Sequence, residues 1–284
     1  MNMMYRRILF AVEDDEALPA AIGAVAAYAG FWHAQVRVLH VRRIDPASRS
    51  GPSNGLVDAV VERLRAHGAE AEGETQSVKT DDEIAGAVAT VTARIQPDLV
   101  VVGSRGRSGV AGLILGSVSH RIAAGLDVPV LVIRASHTAL LPPRKVLVAV
   151  DEFLASDEAL AEAGMVAARA GAEVLVLHVQ HMIAVQGAAI VEPEAQARAI
   201  VDRAVEKLTA QGVRARGRTM IDQSVAAAIV AAAERFEADL VVLGSRRPIG
   251  IGGVLLGSVG HEVVSRMRRP VLLARRVRDT EKVH

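Results

Sequence analysis

The chain has 284 residues, 51% of them apolar and 23% charged, with a formal net charge of +1 at pH 7; this is the balance of a globular protein and excludes extended disorder. The near-neutral charge gives no global field that would gather nucleic acid or an anionic membrane, and aromatic residues at 2% leave little on which bases could stack. With no cysteine present, disulfides, zinc-thiolate sites and a cysteine nucleophile are excluded as well.

In chain order, the opening MNMMYRRILFAVEDD lacks the apolar core and small-residue cleavage site of a secretory signal. Residues 17–34 are too short and mild a stretch to span a bilayer, so a soluble, cytoplasmic protein is expected. Residues 6–13 (RRILFAVE) and 144–151 (RKVLVAVD) are nearly continuous apolar runs that end on an acid, the signature of strands buried on both faces of a parallel sheet. Ala-rich helices over 17–30 and 155–171, each closed by a glycine, follow them. Second strands over 35–41 and 173–179 come next, then helices over 56–67 and 193–211, strands over 70–78 and 213–220, and helices over 81–95 and 222–236. The basic tail, with seven Lys/Arg against two acids over 264–284, reads as a solvated strand end.

Residues 98–134 and 239–275 align without a gap, with 18 of 37 positions identical, so one structural unit occurs twice. This divides the chain into domains at 1–138 and 142–280, joined by a linker over 135–143. Equivalent positions lie 138 apart at the first strands (Glu13, Asp151) and 141 apart at the fourth (Gly103, Gly244), a net gain of three residues in the second half. The gain is expected after the second strand, where IDPASRSGPSNG (44–55) stands against residues 180–192. Strictly alternating strands and helices predict two tandem doubly wound α/β domains, each a five-stranded parallel sheet with helices on both faces. Such sheets bind ligands beyond the strand C-termini.

Each repeat carries a strand ending at a glycine, a glycine-rich segment, and a Gly-Ser that opens a helix: Gly103, Gly106 and Gly116-Ser117, against Gly244 and Gly257-Ser258. Glycine lets backbone N–H groups approach an anion closely, and a helix N-terminus offers unpaired donors and a positive dipole end, so phosphate is the natural guest. Arg105 and Arg107, with Arg246 and Arg247 in the second copy, add cations to the same loops. Other motifs are weaker. GPSNG (51–55) spells GxSxG without a preceding strand, which a nucleophile elbow requires. His178 and His181 have a metal-like spacing, but within a strand it sends them to opposite faces. His40 and His178, and likewise His120 and His261, occupy equivalent positions, which suggests shared structural roles.

Gly-x2-Gly-x9-Gly-Ser after DLVVV (98–102), with an acid closing the first strand, resembles the universal stress protein family, and the resemblance covers nearly the whole chain as two tandem domains of the adenine nucleotide alpha hydrolase-like fold. The resemblance implies adenine nucleotide binding, ATP with Mg²⁺ in particular, by Val12, Glu13, Val41, Gly103, Gly106, Gly116, Ser117 and Val118 in the first half. In the second half it implies Val150, Asp151, Val179, Gly244, Gly257, Ser258 and Val259; of the two, the first-half loop, which keeps Gly106, is where ATP is expected to dock. Glu13 departs from the usual Asp, which Asp151 retains. Arg247-Pro248 replaces the middle glycine of the second loop; it either strains the loop or supplies charge in place of backbone donors. The implied function is stress-response signalling by nucleotide binding, not fast catalysis, with pseudo-dimeric pairing of the last strands (130–133 and 271–274), a further homodimer through sheet edges, and an unnamed protein partner. A slow ATPase and a nucleotide-free scaffold remain the alternatives.

Overall fold

The computed structural model describes residues 5–13, 18–44, 55–104, 117–134, 142–152, 154–185, 188–244 and 257–275. The first half runs β1 (Arg7–Val12), α1 (Leu18–Trp32), β2 (Gln35–Arg43), α2 (Gly55–Ala66), β3 (Ala71–Val78), α3 (Asp82–Ile95), β4 (Leu99–Ser104), α4 (Ser117–Gly125) and β5 (Val130–Arg134). The second runs β6 (Lys145–Ala149), α5 (Leu154–Ala170), β7 (Glu173–His181), β8 (Ile183–Val185), β9 (Ala188–Ile190), α6 (Glu194–Ala210), β10 (Arg214–Asp222), α7 (Val225–Phe236), β11 (Leu240–Gly244), α8 (Ser258–Arg266) and β12 (Val271–Ala274). Each half is a five-stranded parallel sheet, ordered β3-β2-β1-β4-β5 and β10-β7-β6-β11-β12.

The apolar runs are buried on both faces. In β1, Ile8, Phe10 and Val12 join a core beneath α1, α2, α5 and α6, while Leu9 between them joins a second core beneath α3, α4, α7 and α8. Asp98 and Asp239, the first residues of the two repeats, fix the strand starts. Asp98 accepts from the backbone N–H groups of Arg6 (2.8 Å) and Arg7 (2.9 Å). Asp239 does the same for Arg144 (2.8 Å) and Lys145 (3.0 Å).

Two expectations change. Helix α1 does not close at Gly30; it continues to Trp32, whose ring is buried edge-on against Tyr5 at 5.1 Å, and His33 takes the left-handed conformation (φ 55°) that ends it. Apolar burial of that last turn outweighs the cost of a non-glycine residue at positive φ. At the equivalent position Gly171 (φ 66°) closes α5 as expected. Secondly, the net gain of three residues conceals two events. Gly73 of β3 and Gly217 of β10 stand opposite Val38 and Val176 in the same register, yet lie 144 positions apart. The second half therefore gains six residues before α6, where the β8–β9 hairpin sits, and loses three before α7.

The halves join along β5 and β12, which pair antiparallel (Leu131 opposite Leu272) and make one ten-stranded sheet. Arg134 and Arg275, the equivalent residues ending these segments, are both 4% exposed. The Arg134 guanidinium donates to the carbonyls of Val264 (2.6 Å) and Ser265 (2.5 Å) at the end of α8. Arg275 returns the contact to Leu126 (3.1 Å) and Ala123 at the end of α4. A cation at a helix C-terminus satisfies orphan carbonyls and opposes the dipole. Across the same joint, His120 and His261 meet with Nδ1 atoms 3.0 Å apart, one ring donating to the other. Burial, and then the facing His261, hold His120 below the ordinary histidine pKa. On the other face of the sheet Tyr5 donates to the buried Glu162 carboxylate of α5, and Arg169 donates to the Phe31 carbonyl (2.8 and 2.5 Å).

Candidate functional site

Parallel strands direct their C-termini to one edge of each half, and there the structure brings together Val12, Glu13, Val41 and Gly103 in the first half and the seven described candidates of the second. In the second half Val150, Asp151, Val179, Gly244, Gly257, Ser258 and Val259 line one cleft, together with Ser156, Leu177, His181, Val225 and Ile229. Its volume is about 470 Å³, within the range of small-molecule sites. In the first half Val12, Glu13, Val41 and Gly103 line the corresponding cleft with Leu18, Leu39, Ile84, Val88, Ser119 and Ile122, and its volume is about 30 Å³. Arg105, Gly106, Arg107, Gly116, Arg246 and Arg247 lie outside the described residues; Ser117 and Val118 open α4.

Asp151 is held on two sides. Its backbone N–H donates to the Ser156 hydroxyl (2.7 Å), and that hydroxyl donates to Asp151 Oδ1 (2.6 Å), in a reciprocal pair across the first turn of α5. Ser156 is 9% exposed, so the carboxylate keeps one orientation toward the cleft. Behind it His178, 5% exposed, bridges the Val150 carbonyl (2.9 Å) and the Glu192 carboxylate (2.7 Å). Gln180 donates to the Glu192 carbonyl (2.8 Å). These contacts tie the segment after the β8–β9 hairpin to the strand tips beside the cleft. His178 thus holds the end of β6, and His181 lies exposed with a ring nitrogen 2.9 Å from the Gln223 carbonyl; among the described residues no group of three His, Cys, Asp or Glu gathers to hold a metal.

The opposite wall is the N-terminus of α8. Gly257 caps it, and Gly257, Ser258, Val259 and Gly260 line the cleft across from Asp151. A carboxylate fixed on one side and a helix N-terminus on the other suit a ligand with hydroxyls at one end and an anion at the other. His178 takes the structural role its equivalence with His40 suggests, while Ser156 and Glu192, and Leu18 in the first half, are not picked out by the motif. The signal for two of them lay in the ungapped alignment of residues 12–36 with 150–174, which sets Leu18 against Ser156.

Among the described residues no helix is long and apolar enough to cross a membrane. The fold is shared with a universal stress protein from Archaeoglobus fulgidus, at a TM-score of 0.75 and 20% identity over 98% of this chain and all of that one. The Mycobacterium tuberculosis universal stress protein Rv2005c is 31% identical over 189 residues, which span 63% of this chain and 62% of that relative's own length. A universal stress protein of Mycolicibacterium smegmatis is 27% identical over 94% of this chain and 96% of its own. The family model described as universal stress protein family matches twice, at residues 4–134 and 143–275, the two halves that the internal repeat defines. The chain belongs to the universal stress protein family.

Proposed function

We propose that this protein is an adenine nucleotide sensor, binding ATP with Mg²⁺ and acting in stress signalling through the bound state and not through rapid turnover. The observation that carries the reading is the second-half cleft of about 470 Å³, with Asp151 locked by Ser156 on one wall and the N-terminus of α8 on the other. In it Asp151 takes ribose hydroxyls, the apolar stretch of Val150, Leu177 and Val179 takes the base, and Gly257, Ser258 and Val259 take phosphate on backbone donors. Mg²⁺ would be carried by the nucleotide, where it would offset phosphate charge beside Gly257 and Ser258. Signalling follows if the nucleotide distinguishes two conformations of the protein, and the loops beside the cleft are the natural elements to respond.

Thermal unfolding of the full chain with Mg-ATP, Mg-ADP, AMP and Mg-GTP tests this. A ligand at 100 times its Kd stabilises by about 2.7 kcal/mol, and the expected result is a rise in Tm with the adenine nucleotides that falls away in Asp151→Asn. Unchanged melting with every adenine nucleotide would remove the proposal in favour of a nucleotide-free scaffold.

A further inference from the structure

We infer that the chain binds one nucleotide and not two, because Leu18 closes the first-half cleft where Ser156 leaves the second open. This rests on the nucleotide reading above and adds which half carries it. The two clefts are built by equivalent elements, so their linings compare position by position. Four of the equivalences are larger in the first half: Leu18 against Ser156, Glu13 against Asp151, Ile84 against Val225, and Ser119 against Gly260. Two positions go the other way by one methylene each, Val88 against Ile229 and Val102 against Leu243, so the exchange of Leu18 for Ser156 is the large difference, and the volumes are about 30 Å³ against about 470 Å³. A space of the smaller size has room for a water or two and none for a purine.

The substitution at Leu18 does more than occupy space. Leu18 is 9% exposed and packs into the core with Val12 and Ala21, so it has apolar neighbours that hold it in place. Ser156, its counterpart, orients Asp151 through two hydrogen bonds, and leucine has no hydroxyl with which to do that for Glu13. The longer acid and the apolar neighbour thus occur together, in the half whose cleft is closed. Likewise Ser119 donates to the Gly103 carbonyl (3.2 Å), narrowing the glycine end of that cleft where Gly260 leaves the other open. Displacing Leu18 to admit a nucleotide would open apolar core to a polar ligand, an unfavourable exchange.

Isothermal titration of the full chain with Mg-ATP reads the stoichiometry directly. The expected values are one site per chain in the wild type, binding at least tenfold weaker in Ser156→Leu, and a second site in Leu18→Ser. Ser156→Ala, which removes the two hydrogen bonds without adding bulk, should weaken binding several-fold at unchanged stoichiometry and covers the case in which Ser156→Leu does not fold. Two sites in the wild type, or wild-type affinity in both Ser156 variants, would overturn the single-site inference while leaving nucleotide binding intact. No binding in the wild type would overturn the nucleotide reading itself, and this inference with it.

Discussion

Glu162→Gln should make this protein more stable at neutral pH and leave it nearly unchanged in acid. Glu162 is 2% exposed, on α5 at the contact between the halves, and its carboxylate accepts from Tyr5. Burial pushes its pKa from 4.5 up to about 7; the Tyr5 hydrogen bond opposes this and the neighbouring Glu158 adds to it. At about 1.4 kcal/mol per pH unit, the folded state then carries a penalty of roughly 3 kcal/mol once the carboxyl is ionised in both states. The sign follows from where the proton sits. Below pH 4.5 both states hold it; between 4.5 and 7 the unfolded chain releases it and the folded chain does not, so stability falls as pH rises and levels off above 7. Glutamine keeps an oxygen for the Tyr5 hydroxyl and cannot ionise. Guanidinium unfolding of both proteins from pH 4 to 8.5 should show the variant gaining about 3 kcal/mol on the wild type across that interval. Two curves that stay parallel would refute the idea that a proton is retained on Glu162 in the folded chain.

The reciprocal arginines give a symmetric prediction. Arg134→Ala and Arg275→Ala each leave buried helix-end carbonyls without a charged donor, and each should cost about 2 kcal/mol in chemical unfolding; exposed arginines such as Arg198 should cost well under 1 kcal/mol on the same test. At Gly73 an added Cβ would stand 2.2 Å from Val57 Cγ1, so Gly73→Ala should destabilise by about 1–3 kcal/mol. Adding Val57→Ala should recover part of that loss, and no recovery would place the strain elsewhere.

Much of this architecture is legible in the chain because it is written twice. The buried runs ending in Glu13 and Asp151, the aspartates at 98 and 239, and the Gly-Ser pairs before α4 and α8 mark equivalent places, and periodicity assigns the elements between them. The motif, with Gly106 kept in the first loop, favours the first half as the nucleotide site, whereas the larger cleft lies in the second. That depends on Leu18 and Ser156, single positions inside a helix whose apolar pattern accepts either residue, and their effect is visible only when the strand tips surround them. The hairpin is hidden for a different reason: six residues gained and three lost leave a small net offset, and short β8 and β9 carry no periodicity of their own. His120 and His261 are equivalent in sequence, but that equivalence gives no hint that they touch, since contact across a pseudo-dyad follows from how the halves dock.

The β5–β12 pairing has a consequence for how the two halves have been free to differ. When identical subunits meet along a strand edge, each change in one is imposed on the other, so a closed pocket in one is a closed pocket in both. Here the partners lie in a single polypeptide, and their meeting is first order in the chain, independent of how dilute the protein becomes. Joined on those terms, one half can give up its cavity and serve as a rigid wall while the other retains it. The outer strands left at the sheet's ends carry opposite charge, β3 with Glu72 and Glu74 and β10 with Arg214, Arg216 and Arg218, so that like edges of two copies repel.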